Sequence, residues 1–355
     1  MTVTDRASIR QGYTDLLARP PHLRARDAAT ALGITEAALV ASAALGSVVA
    51  LRADWPALIS RLSDLGPVMV LTRNEHAVHE RHGRYQDVSA GPGHILVLGP
   101  DIDLRLFHNG WAFAYALGGV RPSIQIFDGD GDAVHKVYAM QGRTLPERWA
   151  DLVVPFTAPN PAPPRHAAVT KPASAAETLV DATSLRADWL ALRDTHDFFP
   201  MLRKHRATRR QAFNLAGADL ALGLDPAAAE ACLTDAAARA IPIMVFVGNR
   251  SAIQIHSGPV HSGPVHRLMA SPGGWFNVLD PEFNLHLRTT GIAQAWRVVK
   301  PTEDGDVTSI ELLDTDGDTS AQFFGARKPG QPERADWRDL VAGVTARFAT
   351  QARAA

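Results

Sequence analysis

Residues 123–139 read SIQIFDGDGDAVHKVYA, and residues 309–325 read SIELLDTDGDTSAQFFG. In both stretches, runs of alternating apolar and polar residues flank an Asp-Gly pair. Period-two alternation argues a strand, and Asp-Gly between two strands argues a tight hairpin turn. The same hairpin therefore occurs twice. The match extends upstream: LGPDIDLRLF (98–107) lines up with LDPEFNLHLR (279–288), and LTRNEHAVHERHGRY (71–85) with FVGNRSAIQIHSGPV (246–260). The spacing between copies grows only by short insertions, one of them a visible duplication, HSGPVHSGPVH at 256–266. A period near half the chain is too long for a solenoid unit. It predicts two similar domains, and a cleft between them is a natural ligand site. Positions that differ between the copies become informative, because a shared fold does not explain them.

At 355 residues the chain is longer than one core usually fills, which agrees with two domains. The expected division is residues 1–156, a Pro- and Ala-rich linker or strap at 157–177 (TAPNPAPPRHAAVTKPASAAE), and residues 178–355. Each half is expected to begin helical and end in strands. Ala- and Leu-rich runs such as RDAATALG, TEAALVASAALG and WPALISRLSDLG open the first half; LRADWLALRD, PMLRKHR, TRRQAFNLAG and PAAAEACLTDAAARA open the second. Thr35 and Thr208 precede helical runs as N-caps, and Gly33, Gly46 and Gly217 fit helix ends. Closely spaced strand patterns with no helix between them then indicate antiparallel sheet, so the fold class is α+β.

Composition excludes several function classes. A net charge of −1 encodes no general affinity for nucleic acid or anionic membrane. The first residues lack an apolar signal core, and no run approaches the roughly 18 apolar residues of a membrane span, so a cytoplasmic protein with no membrane insertion is expected. Cys232, the single cysteine, reads as a small core residue of an Ala-rich helix and fits a reducing compartment. No GxGxxG, GxxxxGK[ST], GxSxG or HExxH occurs. The DGDGD and DTDGD runs alternate carboxylates as calcium loops do. However, an EF-hand also needs Gly at position 6 and Glu at 12, where Ala133 and Ala139, or Thr319 and Gly325, stand. Turns are the expected reading. His76, His79 and His82 recur every third residue; a solvated loop or strand face is expected, with a second, weaker site as the alternative. His256, His261 and His266 read as a lengthened surface hairpin.

The segment DTHDFFPMLRKHRATRRQAF (194–213) is the strongest chemical candidate. It places His196 near a helix start, beside Phe198 and Phe199, with Arg203, Lys204, Arg206, Arg209 and Arg210 following. An imidazole can ligate a metal, rings can pack a flat macrocycle, and cations can pair carboxylates. The plain alternative is an amphipathic helix with a solvated basic face. Arg105, in DLRLF (103–107), adds an asymmetry, because His286 holds the equivalent place in the second copy.

These blocks, with DIDLRLF, MVFVGNR and WRVVKPTEDGDVTSIELLDTDGD, resemble the HemS-like hemin-degrading factors, also called cytoplasmic hemin-transport proteins, over nearly the whole chain. The resemblance implies two similar α+β halves, each with a large antiparallel sheet and flanking helices, and one haem b in the cleft between them. It places the proximal iron ligand on His196, and the distal arginine, with any catalytic role, on Arg105 beside Phe107. Arg209, Lys300 and Arg327 fall on propionate and pocket contacts, and Phe246 and Gln322 on the lining. Phe324 stands where the family often has Tyr, so a ring is kept and a hydroxyl lost. Pro200 is a second departure; it fits a helix first turn and sets how His196 is presented. The implied function is to sequester imported hemin and to traffic it, degrade it oxidatively with an external electron donor, or both. A haem importer or haem oxygenase is the implied partner. A chaperone without turnover, and a non-haem interaction protein using the basic helix 203–210, stay open at this point.

Overall fold

The duplicated hairpin turns are built alike. Asp128 Oδ1 accepts the backbone N–H groups of Asp130 and Asp132, each at 3.0 Å. Asp314 Oδ1 accepts those of Asp316 and Asp318, each at 2.9 Å. Gly131 and Gly317, at φ 86° and 84°, supply the left-handed residue that a side chain would strain. The first carboxylate of each run thus organises its turn, as expected from the strand patterns around it.

The computed structural model describes residues 3–18, 23–167, 179–260, 267–271, 273–328 and 330–350. The chain forms two compact units. The first comprises Met1–Arg73, Glu80–Lys171 and Asn249–Gln254; the second comprises Asn74–His79, Pro172–Gly248 and Ile255–Ala355. Along the first half run strands β1 (Val48–Leu51), β2 (Val68–Arg73), β3 (Ala77–Gly83), β4 (Val88–Gly91), β5 (His94–Leu98), β6 (Asp103–Phe107), β7 (Trp111–Leu117), β8 (Ser123–Asp128) and β9 (Ala133–Ala139). Along the second run β10 (Ala221–Leu224), β11 (Ile243–Gly248), β12 (Ala252–Gly258), β13 (Arg267–Ser271), β14 (Trp275–Leu279), β15 (Phe283–Arg288), β16 (Gln294–Lys300), β17 (Val307–Leu313) and β18 (Thr319–Gly325). The helices are α1 (Val3–Leu17), α2 (Ala25–Ala31), α3 (Glu36–Ala41), α4 (Trp55–Arg61) and α5 (Pro146–Phe156) in the first half. The second half has α6 (Ala182–Leu190), α7 (Phe198–His205), α8 (Arg209–Leu215), α9 (Ala228–Ala238) and α10 (Ala335–Phe348).

The repeat shows as topology. The first unit pairs its strands antiparallel in the order β1-β7-β8-β9-β2, and the second in the matching order β10-β16-β17-β18-β11. The meander β4-β5-β6 likewise matches β13-β14-β15. The expected α+β repeat of antiparallel sheets with flanking helices is what the chain forms.

Strand alternation decides which residues reach which face. In the second unit Val245, Ile310, Leu312, Ala321 and Phe323 point to one face and pack with α9 and α10 residues such as Leu233, Trp337 and Val341. Gly325 lets α10 lie close, because a Cβ there would sit 2.6 Å from Trp337 Cγ. The neighbours one residue along, Val298 and Leu313, pack instead with Leu185, Trp189, Phe198 and Phe213 of α6 to α8. That second face carries the candidate chemistry.

Several expectations need correction. Each half ends in a helix, α5 or α10, rather than in strands; these helices cover apolar sheet faces that would otherwise meet water. The basic helix 203–210 is not continuous. Arg206 turns left-handed at φ 50°, Ala207 N–H returns to Leu202 O at 3.0 Å, and Thr208 opens α8 with a capping box to Gln211. His79 is fully buried rather than solvated, its ring 5.0 Å edge-on from Phe283. His256 is also buried and stacks on the same Phe283 at 3.8 Å, so it is no surface residue; His261 and His266 lie outside the described residues. The first part of the expected linker is strapped to the first unit, with Thr35 Oγ1 donating to Arg165 O at 2.6 Å and Ala158 N–H to Ala50 O at 2.8 Å. Residues 168–177 lie outside the described residues.

Candidate functional site

His196 sits in a single 3-10 turn, Thr195–Asp197, just before α7. Its side chain is 87% exposed, unusual for a histidine held in place. Asp194 holds it: one oxygen, Oδ1, accepts the His196 backbone N–H at 2.7 Å and contacts ring Nδ1 at 2.6 Å. An ionised carboxylate only accepts, so a ring proton lies on Nδ1, which leaves Nε2 as the nitrogen that could ligate a metal. The His196 backbone N–H, against a smaller cost of burial, holds the Asp194 carboxyl below the usual carboxylate range, with the His196 ring and Arg327 adding to the effect. Phe199, 61% exposed, lies on the same short segment with Arg203 over its ring at 5.3 Å.

Behind this turn, the second sheet face of the unit carries a buried charge cluster. Glu311 is fully buried on β17. Arg209, the first residue of α8, reaches Glu311 Oε2 at 2.5 Å. Lys300, at the end of β16, donates to Oε1, and Ser309 Oγ adds a bond to Oε1 at 2.9 Å. Burial would raise the Glu311 carboxyl; Lys300 and Arg209 overcome it and hold the pKa down to about 2. Burial lowers the Lys300 ammonium in spite of its partner. Aromatic rings wall the cluster. Lys300 Nζ lies 4.8 Å from the Phe198 ring centre and 5.4 Å from that of Phe324, and the Arg209 guanidinium lies 5.2 Å from Phe198. Phe246 meets Phe324 edge-on at 5.1 Å, and Gln322 stands opposite both Phe246 and Glu311 in the strand register. Two cations against one carboxylate leave a surplus positive charge, which a carboxylate-bearing ligand would neutralise.

The structure thus gathers Arg209, Lys300, Gln322, Phe246 and Phe324 on one face of the second unit. Arg327 follows β18, its Nη2 3.0 Å from Asp304 Oδ2. Arg105 and Phe107 belong to the first unit, on β6. There Arg105 pairs with Asp103 and also donates to Leu104 O at 3.3 Å, and Phe107 is 43% exposed. Sequence reasoning missed Asp194 and Glu311. The signal for Glu311 was present: a charged residue at an inward position of a strand, where the first copy has Gln125. The equivalent place in the first unit is filled with reversed polarity. Glu36, which opens α3 after the capping Thr35, accepts from Lys136 of β9 at 2.5 Å, both buried. Arg209 opens α8 after Thr208 in the same way, and Gln322 stands where Lys136 does.

A family profile described as "Haemin-degrading HemS.ChuX domain" matches residues 33–156 and 206–344. The chain belongs to this family. The duplication within this chain accounts for the two matched segments. Among relatives, "Hemin transport protein HmuS" of Yersinia pestis is 40% identical over 95% of this chain and 97% of its own. PhuS of Pseudomonas aeruginosa, described as a heme-binding protein, is 48% identical in its apo crystal structure, with a TM-score of 0.89 over 95% of this chain and 98% of that one. Its holo structure gives 47%, 0.87, 94% and 97%. ChuS, described as an E. coli heme oxygenase, is 36% identical with a TM-score of 0.82, covering 94% and 99%.

Proposed function

We propose that this HemS/ChuX-family chain binds haem b through its second unit, receives haem after import into the cytoplasm, and passes it on. His196 Nε2 is the axial ligand of the iron. Arg209, Lys300 and Arg327 receive the propionates, and Phe246, Gln322 and Phe324 line the pocket. Arg105 is given the distal role, with Phe107 two residues along the same strand. The observation that carries this reading is the His196 ring: exposed, held at Nδ1 by Asp194, and two residues from Phe198, whose ring lies against Arg209 and Lys300. These donors suit a ferric macrocycle with two carboxylates.

Bound haem supplies a redox-active iron and a ring that dioxygen can open when an external donor provides electrons. Oxidative degradation is therefore the second reading, favoured by the description of ChuS as a heme oxygenase. The implied partner is a haem importer or a separate haem oxygenase, and no nucleic-acid or membrane partner is assigned. Among the described residues no helix is long and apolar enough to cross a membrane.

Hemin titration followed by visible spectra tests the assignment. Wild type develops a shifted Soret band, and His196→Ala gives a different band with at least about tenfold weaker binding. An unchanged wild-type spectrum would sink the haem reading, and identical spectra would remove His196 from its role. Loss of the Soret band with a reductase and dioxygen, and no transfer to an acceptor protein, would select degradation over delivery.

A further inference from the structure

We infer that Asp194 is a positioning residue that fixes the tautomer of His196 and tunes the electron richness of its Nε2. The inference rests on the reading of His196 as an iron ligand. The observation behind it is the geometry of one carboxylate oxygen, which takes both the backbone N–H of His196 at 2.7 Å and the ring Nδ1 at 2.6 Å. The first bond locks the residue that bears the ring, and the second locks the ring itself. No packing does this instead, since the side chain is 87% exposed. An exposed imidazole without a partner samples several rotamers and both tautomers, and only one tautomer presents Nε2 as a lone pair.

The partner is also charged. A neutral acceptor such as a backbone carbonyl would orient the ring equally well. A carboxylate in addition draws the Nδ1 proton toward itself, which makes Nε2 a stronger donor and favours the higher oxidation state of a metal bound there. Asp194 thus separates two effects that substitution can pull apart. Asp194→Asn keeps an oxygen able to cap the turn and accept from Nδ1, but removes the charge. Asp194→Ala removes both.

Three measurements on the full-length protein loaded with hemin test the inference: the dissociation constant, the ferric–ferrous reduction potential, and the iron–histidine stretching frequency of the ferrous form. Asp194→Asn should bind hemin within a few-fold of wild type, shift the stretch to lower frequency and favour ferrous iron about tenfold. For a one-electron couple that tenfold change is about 59 mV upward. Asp194→Ala should show the same potential shift and bind about 10- to 100-fold more weakly. Circular dichroism and thermal melting of the haem-free variants check that each is folded. If folded Asp194→Asn keeps both the wild-type potential and the wild-type stretch while His196→Ala loses its ligand signature, the inference fails and the axial assignment stands. If His196→Ala itself leaves the spectrum unchanged, the axial assignment is what fails.

Discussion

Replacing Glu311 by Gln should cost the second unit about 3–5 kcal/mol near neutral pH. The reason is burial: Glu311 is fully enclosed, and its loss leaves Lys300 and Arg209 with no counter-charge. The fall of its pKa from an ordinary 4.5 to about 2 is by itself worth about 3 kcal/mol, at 1.36 kcal/mol per pKa unit. Not all of this is net gain, because burial also lowers the Lys300 ammonium, and part of the attraction offsets that cost. The sign follows from linkage. A carboxyl depressed in the folded state stabilises fully above its unfolded pKa of 4.5 and loses that contribution as the pH falls toward 2. Under about half should remain at pH 3. Urea denaturation followed by tryptophan fluorescence, at pH 7 and pH 3, measures both quantities. At pH 7 the variant should melt about 10 °C lower, given about 2–4 °C per kcal/mol for a unit of this size. Adding Lys300→Met to Glu311→Gln should recover most of the loss, since an apolar replacement removes the stranded charge. A single variant within 1 kcal/mol of wild type at pH 7, or a deficit that does not shrink in acid, would refute the reasoning.

Two further perturbations test other parts of the same unit. Burial lifts the Glu333 carboxyl to about 7, against the hydrogen bond that Thr308 N–H donates to its Oε1 at 2.6 Å. The folded state therefore holds this proton more tightly than the unfolded one, and stability falls as pH rises from 4.5 to 7. Glu333→Gln should match wild type below pH 4.5 and exceed it by about 2 kcal/mol at pH 8 in urea melts; equal slopes in both proteins would count against it. Gly325→Ala should cost about 1–3 kcal/mol, because its Cβ would press on Trp337, which is itself buried and tied to Thr308 O at 3.0 Å. A thermal midpoint equal to wild type would show that α10 can move away.

Much of the fold was legible in local pattern. The period-two runs named most strands, the Asp-Gly pairs marked both hairpins, and Thr35 and Thr208 cap the helices they precede. What was hidden depends on distant partners. The four-residue strands β1 and β10 carry little periodicity of their own and exist because β7 and β16 pair with them. The segments 74–79 and 249–254 each join the unit of the other half. There Asn74 donates to Gly248 O and Asn249 to Val134 O, both at 2.9 Å, and no local propensity foretells this. At the candidate site the sequence showed the cations but not their restraint. Arg209 reads as part of a basic helix and Lys300 as a pocket contact, and neither reading includes Glu311, which the fold sets between them.

The reversed polarity of the two buried pairs bears on how such a duplicated gene can change. Tandem copies exchange tracts by recombination, which tends to make them alike. Here a converted tract carrying β8 and β9 into the second copy would set Lys136 against Arg209, and the reciprocal tract would set Glu311 against Glu36. Each hybrid buries like charges where the parents bury opposite ones, at a cost of several kcal/mol. Such hybrids would be less stable than either parent arrangement, so this position disfavours exchange between the repeats. The pair that began as interchangeable copies has become, at one buried contact in each, mutually untranslatable.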